Sequence, residues 1–183
     1  MIASRKSYPA RKEEREYRQS FRSFFWTMAI AVVLALLLRM FVIETIRVEG
    51  PSMQPTLHTN ERVLIEKITL PFSMPERNDI VVCQFERQSE PFIKRVIGLP
   101  GETIEIRNGD VYINGAPLEE DTYGSGKRPR DMAAVTIPED CVFVMGDNRA
   151  NSADSCVYGP IEKSRIRGIV VLRFWPLNAI TTF

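Results

Sequence analysis

The longest apolar stretch of the chain lies near its N-terminus and has no polar stripe. Residues 24–38 are apolar except for Thr27, and the apolar sequence resumes after Arg39 and continues to Ile43. A helix over 24–43 is about 30 Å long, which matches the hydrocarbon core of a bilayer. A buried core helix would show an amphipathic stripe, and a cleaved signal peptide would be followed by a small-x-small site; the sequence has neither. The pattern predicts a retained transmembrane helix over 24–43.

Beyond residue 43 the apolar positions come in short runs that are separated by turn residues. Alternating or continuous short runs of this kind predict strands. Two Asn-Gly pairs beside alternating residues indicate hairpins. Residues 119–131 are polar and contain two glycines and a proline, so we expect an exposed loop there. Strands are predicted over residues 62–68, 79–85, 92–97, 102–107, 110–113, 135–137, 141–145 and 166–175. No second helix is expected, so residues 44–183 are predicted to form one mainly β domain.

Charge separates the first residues from the rest of the chain. Residues 1–23 contain seven basic side chains against three acidic ones. Basic flanks of a transmembrane helix stay in the cytoplasm, so the β domain is expected on the outer side of the membrane. The whole chain has a formal net charge of +1, which gives no indication of nucleic-acid binding. With one histidine and three cysteines that lack metal-site spacing, no metal centre is expected, and at most one internal disulfide can form.

The predicted strand over 92–97 carries two adjacent cations, Lys94 and Arg95. Because side chains alternate along a strand, one of the two should point inward. Lysines rarely lie inside a protein unless they are paired or functional. Taken alone, the strand is therefore expected at a sheet edge with both charges in solvent, and a buried functional lysine is the alternative.

Two other segments stand out by their polar side chains. Ser52 lies between Pro51 and Pro55 in a rigid, irregular stretch shortly after the apolar run. Residues 145–155 are dense in small polar side chains directly after an apolar strand. Each segment by itself is typical of a surface turn, although the second could also form a hydrogen-bond network that holds other residues in place.

The residue inventory restricts the hydrolytic mechanisms that the chain could support. A Ser-His-Asp triad would need His58, which lies only six residues after Ser52 in an apparently unrelated turn. A serine that is activated by a lysine is the arrangement that remains. A lysine amine with its ordinary pKa near 10.4 is charged at pH 7 and cannot accept a proton, but desolvation lowers that pKa. A drop of about three units corresponds to about 4 kcal/mol, which apolar neighbours such as Phe92 and Val96 are expected to supply.

Three segments together resemble a known family. Residues 52–57, 94–101 and 146–155 look like the three signature segments of type I signal peptidases, in the same order and with the first segment close to the anchor. The resemblance covers about residues 20–175. It implies a largely antiparallel β fold and a Ser-Lys serine endopeptidase without a cofactor. Such enzymes cleave signal peptides from exported precursors after motifs such as Ala-x-Ala, at the outer face of the membrane. By resemblance, Ser52 is the nucleophile and Lys94 the general base.

The resemblance also assigns supporting residues. Ser152 is similar to the hydroxyl that orients the lysine. The substrate would bind as an added strand, with its small side chains in shallow apolar pockets. The polar residues that stiffen the site would be Asp147, Arg149 and Asp154. The substrate-binding residues would be Val48, Gly50, Met53, Leu57, Val63 and Ile93.

The sequence departs from the family pattern at two positions. Gly50 stands where some members carry a hydroxyl that helps to form the oxyanion hole, so the backbone N–H of Ser52 is the expected donor. One such donor is typically worth about 2.7–4 kcal/mol. Cys156 stands where many members have an arginine that pairs with the aspartate matching Asp154, so that ion pair is not expected here.

Several alternatives stay open at this point. A self-cleaving Ser-Lys protease shares the chemistry, and an inactive anchored β domain could bind exported peptides without cleaving them. The expected partners are precursor proteins and the lipid bilayer, and the sequence leaves the oligomeric state open. A plasma membrane with the N-terminus in the cytoplasm is the expected location, and a thylakoid or other organelle membrane is the alternative.

Overall fold

A computed structural model of the chain describes residues 21–36, 43–118 and 123–183. Residues 21–36 form helix α1 with exposed side chains. The predicted anchor over 24–43 is helical as far as residue 36, and residues 37–42 lie outside the described residues. Its last predicted residue, Ile43, is not helical but begins a strand. The predicted cytoplasmic segment lies outside them up to residue 20. Within the described part of the chain, no helix has both the length and the apolar character needed to cross a membrane.

Among the described residues, twelve strands and one further short α-helix follow, together with two single-turn 3-10 helices, Lys163–Arg165 and Leu177–Ala179. Every strand pairing between them is antiparallel, which confirms the mainly β, antiparallel prediction. The elements in chain order are β1 (Ile43–Arg47), β2 (Arg62–Glu66), β3 (Ile80–Cys83), β4 (Phe92–Gly98), β5 (Thr103–Arg107), β6 (Asp110–Ile113), β7 (Ala116–Pro117), β8 (Met132–Thr136), β9 (Cys141–Met145), α2 (Ser155–Tyr158), β10 (Ile161–Glu162), β11 (Ile166–Trp175) and β12 (Thr181–Thr182).

The strands form a large and a small sheet. The large sheet has the order β1-β2-β11-β3-β4-β9-β10, with β12 beside β11, and the small one has the order β7-β6-β5-β8. In the small sheet both predicted Asn-Gly turns connect strands, and Asn108, Gly109, Asn114 and Gly115 all have positive φ angles between 51° and 81°. Two central residues with positive φ are the signature of the tight turns that suit the twist of a hairpin.

Three buried clusters account for the core of the β domain. Val81 and Cys83 belong to the first cluster, whereas their neighbours Ile80 and Val82 belong to the second. Since side chains alternate along a strand, these two clusters lie on opposite faces of the large sheet. The third cluster joins residues of β4 and β9 to residues of the small sheet. All three clusters lie within the compact unit Val42–Phe183.

The expectation that the strand of Lys94 lies at an edge is wrong. β4 is hydrogen-bonded to β3 on one side and to β9 on the other, and Lys94 and Arg95 are only 2% and 3% exposed. Because both faces of this central strand are covered, alternation cannot bring either cation into solvent. The expectation of no further helix is also wrong by one element, since α2 forms a single turn.

The predicted exposed loop over 119–131 also requires a correction. Residues 119–122 lie outside the described residues, but Ser125 is half-buried and the Arg128 side chain is only 8% exposed. Both residues contact the segment after β9, as described below. Polar composition predicted solvent, whereas these polar groups hydrogen-bond inside the protein.

Candidate active site

Ser52 lies in the turn-rich loop between β1 and β2. The apolar side chains that follow it, Met53 and Leu57, are 1% and 0% exposed and fix the loop to the second cluster. The carbonyl of Ser52 accepts a hydrogen bond of 3.0 Å from the backbone N–H of Asn148, so the loop is also joined to the segment after β9. The hydroxyl of Ser52 is thereby held in a fixed place at the edge of the core.

The Lys94 amine reaches Ser52 from the middle of β4. Its Nζ lies 2.7 Å from Ser52 Oγ and donates to the carbonyl of Ile93 at 3.0 Å. The ring centroid of Phe92 lies 5.3 Å from Nζ. Burial lowers the pKa of the amine below the ordinary lysine value, and the charges of Asp154, Cys83 and Asp147 oppose that shift. The arrangement therefore favours an uncharged amine within hydrogen-bond distance of a hydroxyl.

Arg95, on the opposite face of β4, forms a buried ion pair. Its Nε and Nη2 donate to the two carboxylate oxygens of Asp147 at 2.8 and 2.7 Å, and its Nη1 donates to the carbonyl of Asn78 at 2.8 Å. Thr56 also donates to the Asp147 carboxylate at 2.5 Å. A two-pronged guanidinium–carboxylate pair is both strong and directional. It joins β4 to the segment after β9 and, through Thr56, to the Ser52 loop.

Gly146 lies where the two loops come closest. A Cβ atom at this position would lie 2.3 Å from Ser152 Oγ and 2.5 Å from the carbonyl oxygen of Ser52. Real Cβ atoms do not approach other atoms so closely, so a side chain here would push the two loops apart. Arg149 closes the same turn, because its Nε donates to the carbonyl of Gly146 at 3.2 Å.

Asp154 has a guanidinium partner from elsewhere in the chain, although Cys156 cannot provide the ion pair that many family members have at its position. Arg128 Nη2 donates to Asp154 Oδ1 at 3.2 Å, and Nη1 donates to Oδ2 at 3.3 Å. Asp154 also accepts from the backbone N–H groups of Gly146 and of Cys156, the latter as the N-cap of α2. The arginine comes from a position 26 residues earlier in the chain, in a segment that looked like a solvent loop.

Ser152 does not contact the amine by a hydrogen bond. Lys94 Nζ bonds to Ser52 and to the carbonyl of Ile93, whereas Ser152 Oγ is buried and has no partner among the described residues. Buried polar groups normally have a hydrogen-bond partner, so this hydroxyl has the capacity to bond to a further group in the site.

A cleft of about 600 Å³ opens beside Ser52 and Lys94. Of the predicted substrate-binding residues, Val48, Gly50, Met53 and Ile93 line this cleft. Leu57 and Val63 do not line it; both are 0% exposed and pack behind the wall in the second cluster. The structure places both residues in the layer that supports the cleft wall, and their part in substrate binding stays a prediction.

Sequence reasoning missed the residues that connect the three segments. Arg128, Ser125 and Tyr123 contact the site from a segment that shows no periodicity or motif of its own. Among the described residues, no group of histidines, cysteines or carboxylates could hold a metal ion. The three cysteines are free thiols, of which Cys83 and Cys141 are buried and Cys156 is half-buried.

Comparison with known proteins adds an independent line of evidence. A family model described as signal peptidase, peptidase S26, matches residues 21–175. A signal peptidase I of Leptolyngbya laminosa is 43% identical over 162 residues, which cover 84% of this chain and 79% of that protein. A signal peptidase I of Bacillus licheniformis is 38% identical over 180 residues, which cover 92% of this chain and 97% of that protein. The crystal structure of a signal peptidase I from Enterococcus faecalis V583 is 33% identical, covers 53% of this chain and 97% of its own, and has a TM-score of 0.45.

Proposed function

The chain belongs to the signal peptidase family, peptidase S26, and from this membership we propose that it is a membrane-anchored serine endopeptidase with a Ser52–Lys94 dyad. It would remove N-terminal signal peptides from exported precursors. The observation that supports the dyad most directly is the 2.7 Å separation of Lys94 Nζ and Ser52 Oγ, at an amine whose pKa is lowered by burial.

In the proposed reaction, the uncharged Lys94 amine takes the proton of Ser52 as Oγ attacks the scissile carbonyl carbon. The resulting ammonium then gives a proton to the leaving amine of the mature protein, the C–N bond breaks, and an ester joins the signal peptide to Ser52. In the second half, Lys94 takes a proton from water, which hydrolyses the ester and restores the serine. The backbone N–H of Ser52 is the proposed oxyanion donor.

The supporting roles follow from the contacts of each residue. Asp147 is held by Arg95 and would keep β4 and the Ser52 loop in register. Arg149 and Asp154 would fix the turn at Gly146. The buried Ser152 hydroxyl, which has no partner among the described residues, would orient the lysine amine during the reaction.

The cleft supports cleavage after small side chains. Val48, Met53 and Ile93 are apolar and line its wall, and Leu57 and Val63 are packed behind them. A wall that is supported by a filled core cannot recede for a large side chain without strain. We therefore propose an extended substrate with an Ala-x-Ala type motif, bound as an added strand.

The location is part of the same proposal. The apolar run over 24–43 would anchor the protein in the plasma membrane by a single pass, with residues 1–23 in the cytoplasm. The catalytic domain over 44–183 would then act at the outer face, where the signal peptide of a translocated precursor emerges.

Two variants test this proposal, Ser52→Ala and Lys94→Ala. For each of them, cleavage of a precursor with an Ala-x-Ala site is measured. Each variant should lose cleavage almost completely, because the nucleophile or its base is missing. Ser164→Ala and Lys163→Ala, which change the same residue types in the turn between β10 and β11 and outside the cleft lining, are the matched controls. Measurement of the processed precursor by mass spectrometry would also locate the cleaved bond.

Other outcomes would contradict the proposal in distinct ways. Unchanged cleavage in either dyad variant would exclude the Ser-Lys mechanism. A wild-type protein that binds the precursor without cleaving it would be a peptide-binding domain. A wild-type protein that shortens only its own chain would be a self-cleaving protease.

A further inference from the structure

The segment over residues 123–128, called the strap below, crosses all three parts of the candidate site. The ring of Tyr123 lies 3.8 Å from the guanidinium carbon of Arg95 on β4. The backbone N–H of Ser125 donates to the carbonyl of Asp147 at 2.7 Å, and the Ser125 hydroxyl donates to the carbonyl of Gln54 in the Ser52 loop at 3.3 Å. The strap therefore bonds to the loop after β9 and to the nucleophile loop, and stacks on β4.

Arg128 makes the most concentrated set of these contacts. Besides the two-pronged pair with Asp154, its Nη1 donates to the carbonyls of Arg149 and Ser152, both at 3.1 Å. The side chains of Arg128 and Asp154 are only 8% and 0% exposed. A planar fork of five donors can bond a carboxylate and two carbonyls at once, which an ammonium cannot do in the same geometry.

The small sheet holds Arg128 in place from behind. The carbonyl of Gly109, in the turn between β5 and β6, accepts from the backbone N–H of Arg128 at 3.2 Å. The N–H of Gly109 donates to the Asp131 carboxylate at 3.3 Å. A Cβ atom at Gly109 would lie 2.8 Å from Lys127 Cβ and 2.9 Å from the Arg128 carbonyl oxygen, so the turn packs directly on the strap.

We propose that Arg128 is a positioning residue of this site, which holds Asp154 and the backbone of residues 149–152 in the arrangement that surrounds the Lys94 amine. The inference rests on the proposed function, because positioning matters only if Lys94 acts as a base. It differs from a role in fold stability alone, since Arg128 contacts the loop of the site and not the main core.

The charges around Lys94 show what such positioning controls. Asp154, Asp147 and Cys83 act on the amine, and both carboxylates favour its charged form. Asp147 is neutralised by Arg95, and Asp154 is neutralised by Arg128. Without Arg128 one positive charge beside Asp154 is lost, so this carboxylate favours the ammonium more strongly and fewer molecules hold the free amine. Arg149 also lies near this carboxylate and is retained in the variant.

The test compares the pH dependence of kcat/KM in three full-length variants. In Arg128→Met the acidic limb of the profile should move to higher pH by about one unit. At any pH below the limb, kcat/KM should then be about tenfold lower than in the wild type. In Asp154→Asn the limb should move downward, and in the double variant the two shifts should cancel. Lys127→Met removes a neighbouring exposed charge that pairs with Asp110 and should stay within about twofold of wild type.

A purely structural role predicts a different pattern. It would lower the amount of folded enzyme in every variant and leave the limb in its wild-type position, which would overturn the proposal. The proposal would also be overturned if Arg128→Met shifted the limb by the same amount in the wild-type background and in the Asp154→Asn background. If Arg128→Met does not fold, the comparison of Asp154→Asn with the double variant still tests the proposal. Asp154→Asn should shift the limb, whereas the double variant should leave it at the wild-type position.

A readout without substrate separates this inference from the proposed function. Titration of the Lys94 amine by NMR, with lysine labelled at Cε, measures the same shift directly in the wild type and in the three variants. A shift of the amine without any precursor cleavage would support Arg128 and contradict the peptidase. Precursor cleavage by an enzyme whose Lys94 amine does not respond to Arg128→Met would support the peptidase and contradict the role of Arg128.

Discussion

At the scale of the residue, Lys94 makes the fold less stable at neutral pH than an uncharged side chain of similar size would. Its pKa is lowered in the folded protein, so between that value and the unfolded value near 10.4 the folded state binds fewer protons than the unfolded state. The free energy of unfolding therefore rises with pH through this window. The free energy of unfolding is highest at pH values above the pKa of the lysine in the unfolded state. It falls as the pH decreases towards the pKa of Lys94 in the folded state.

Lys94→Met tests this sign. The variant should be more stable than the wild type at pH 7, by about 1.4 kcal/mol for each unit by which burial lowers the pKa, because no amine has to lose its proton on folding. The advantage should shrink as the pH approaches 10. Urea unfolding at several pH values measures it, with the exposed Lys127→Met as control. An advantage that is constant across the pH range would contradict the lowered pKa of Lys94.

At the scale of the element, the contact between the Ser52 loop and the segment after β9 depends on the absence of a side chain at Gly146. Gly146→Ala should cost about 1–3 kcal/mol of stability from overpacking. It should also lower kcat of the folded enzyme at least about tenfold, since a 1 Å displacement of a reacting group can cost a hundredfold. Circular dichroism and kinetics on the folded fraction separate the two effects.

Gly168→Ala is the matched control, because a Cβ atom there would lie 2.7 Å from the carbonyl oxygen of Glu66 in the middle of the large sheet. It should reduce stability by a similar amount and leave kcat of the folded fraction near the wild-type value. If both variants lost kcat equally, the effect at Gly146 would be one of general strain and not of the loop contact.

The elements themselves show what the sequence could and could not predict. The strands over 110–113, 141–145 and 166–175 have the predicted boundaries, since each is bounded by turn residues or a proline. β7, β10 and β12 were missed because a two-residue strand has no periodicity to detect. β1 (Ile43–Arg47) was missed because its first residue continues the apolar run that was assigned to the anchor. The burial of both cations on β4 was missed because alternation identifies faces, while strand order decides whether a face is covered.

In the candidate site, too, some residues could be predicted from the sequence and others could not. The segments of Ser52 and Lys94 and the run over 146–155 could be found because each holds several chemically unusual residues in sequence. The partner of Asp154 could not, since Arg128 is brought to it by the hairpin turn at Gly109 and by the strap. Leu57 and Val63 were assigned to the cleft by resemblance, and a motif position does not distinguish a residue of the wall from one packed behind it.

At the scale of the whole molecule, the candidate site and the core belong to one unit. The three buried clusters, the proposed dyad and the strap all lie within Val42–Phe183, and each strand pairs with another strand of that unit. This unit has 142 residues, counting both end positions 42 and 183, which is long enough to bury a core of its own. Stability and activity should therefore both be properties of this unit.

A chain that lacks residues 1–41 is expected to fold and to cleave a short soluble peptide with an Ala-x-Ala site at a kcat/KM within a few-fold of the full-length protein. The reason is that, among the described residues, the proposed dyad, its ion pairs and the cleft wall are all contributed by positions within Val42–Phe183. Cleavage of a membrane-embedded precursor should fall much more, because the anchor raises the local concentration of enzyme at the bilayer. Parallel assays with both substrates on both proteins measure this difference. Equal losses on the peptide and on the embedded precursor would contradict an independent catalytic unit, and no loss on the embedded precursor would contradict the proposed anchor.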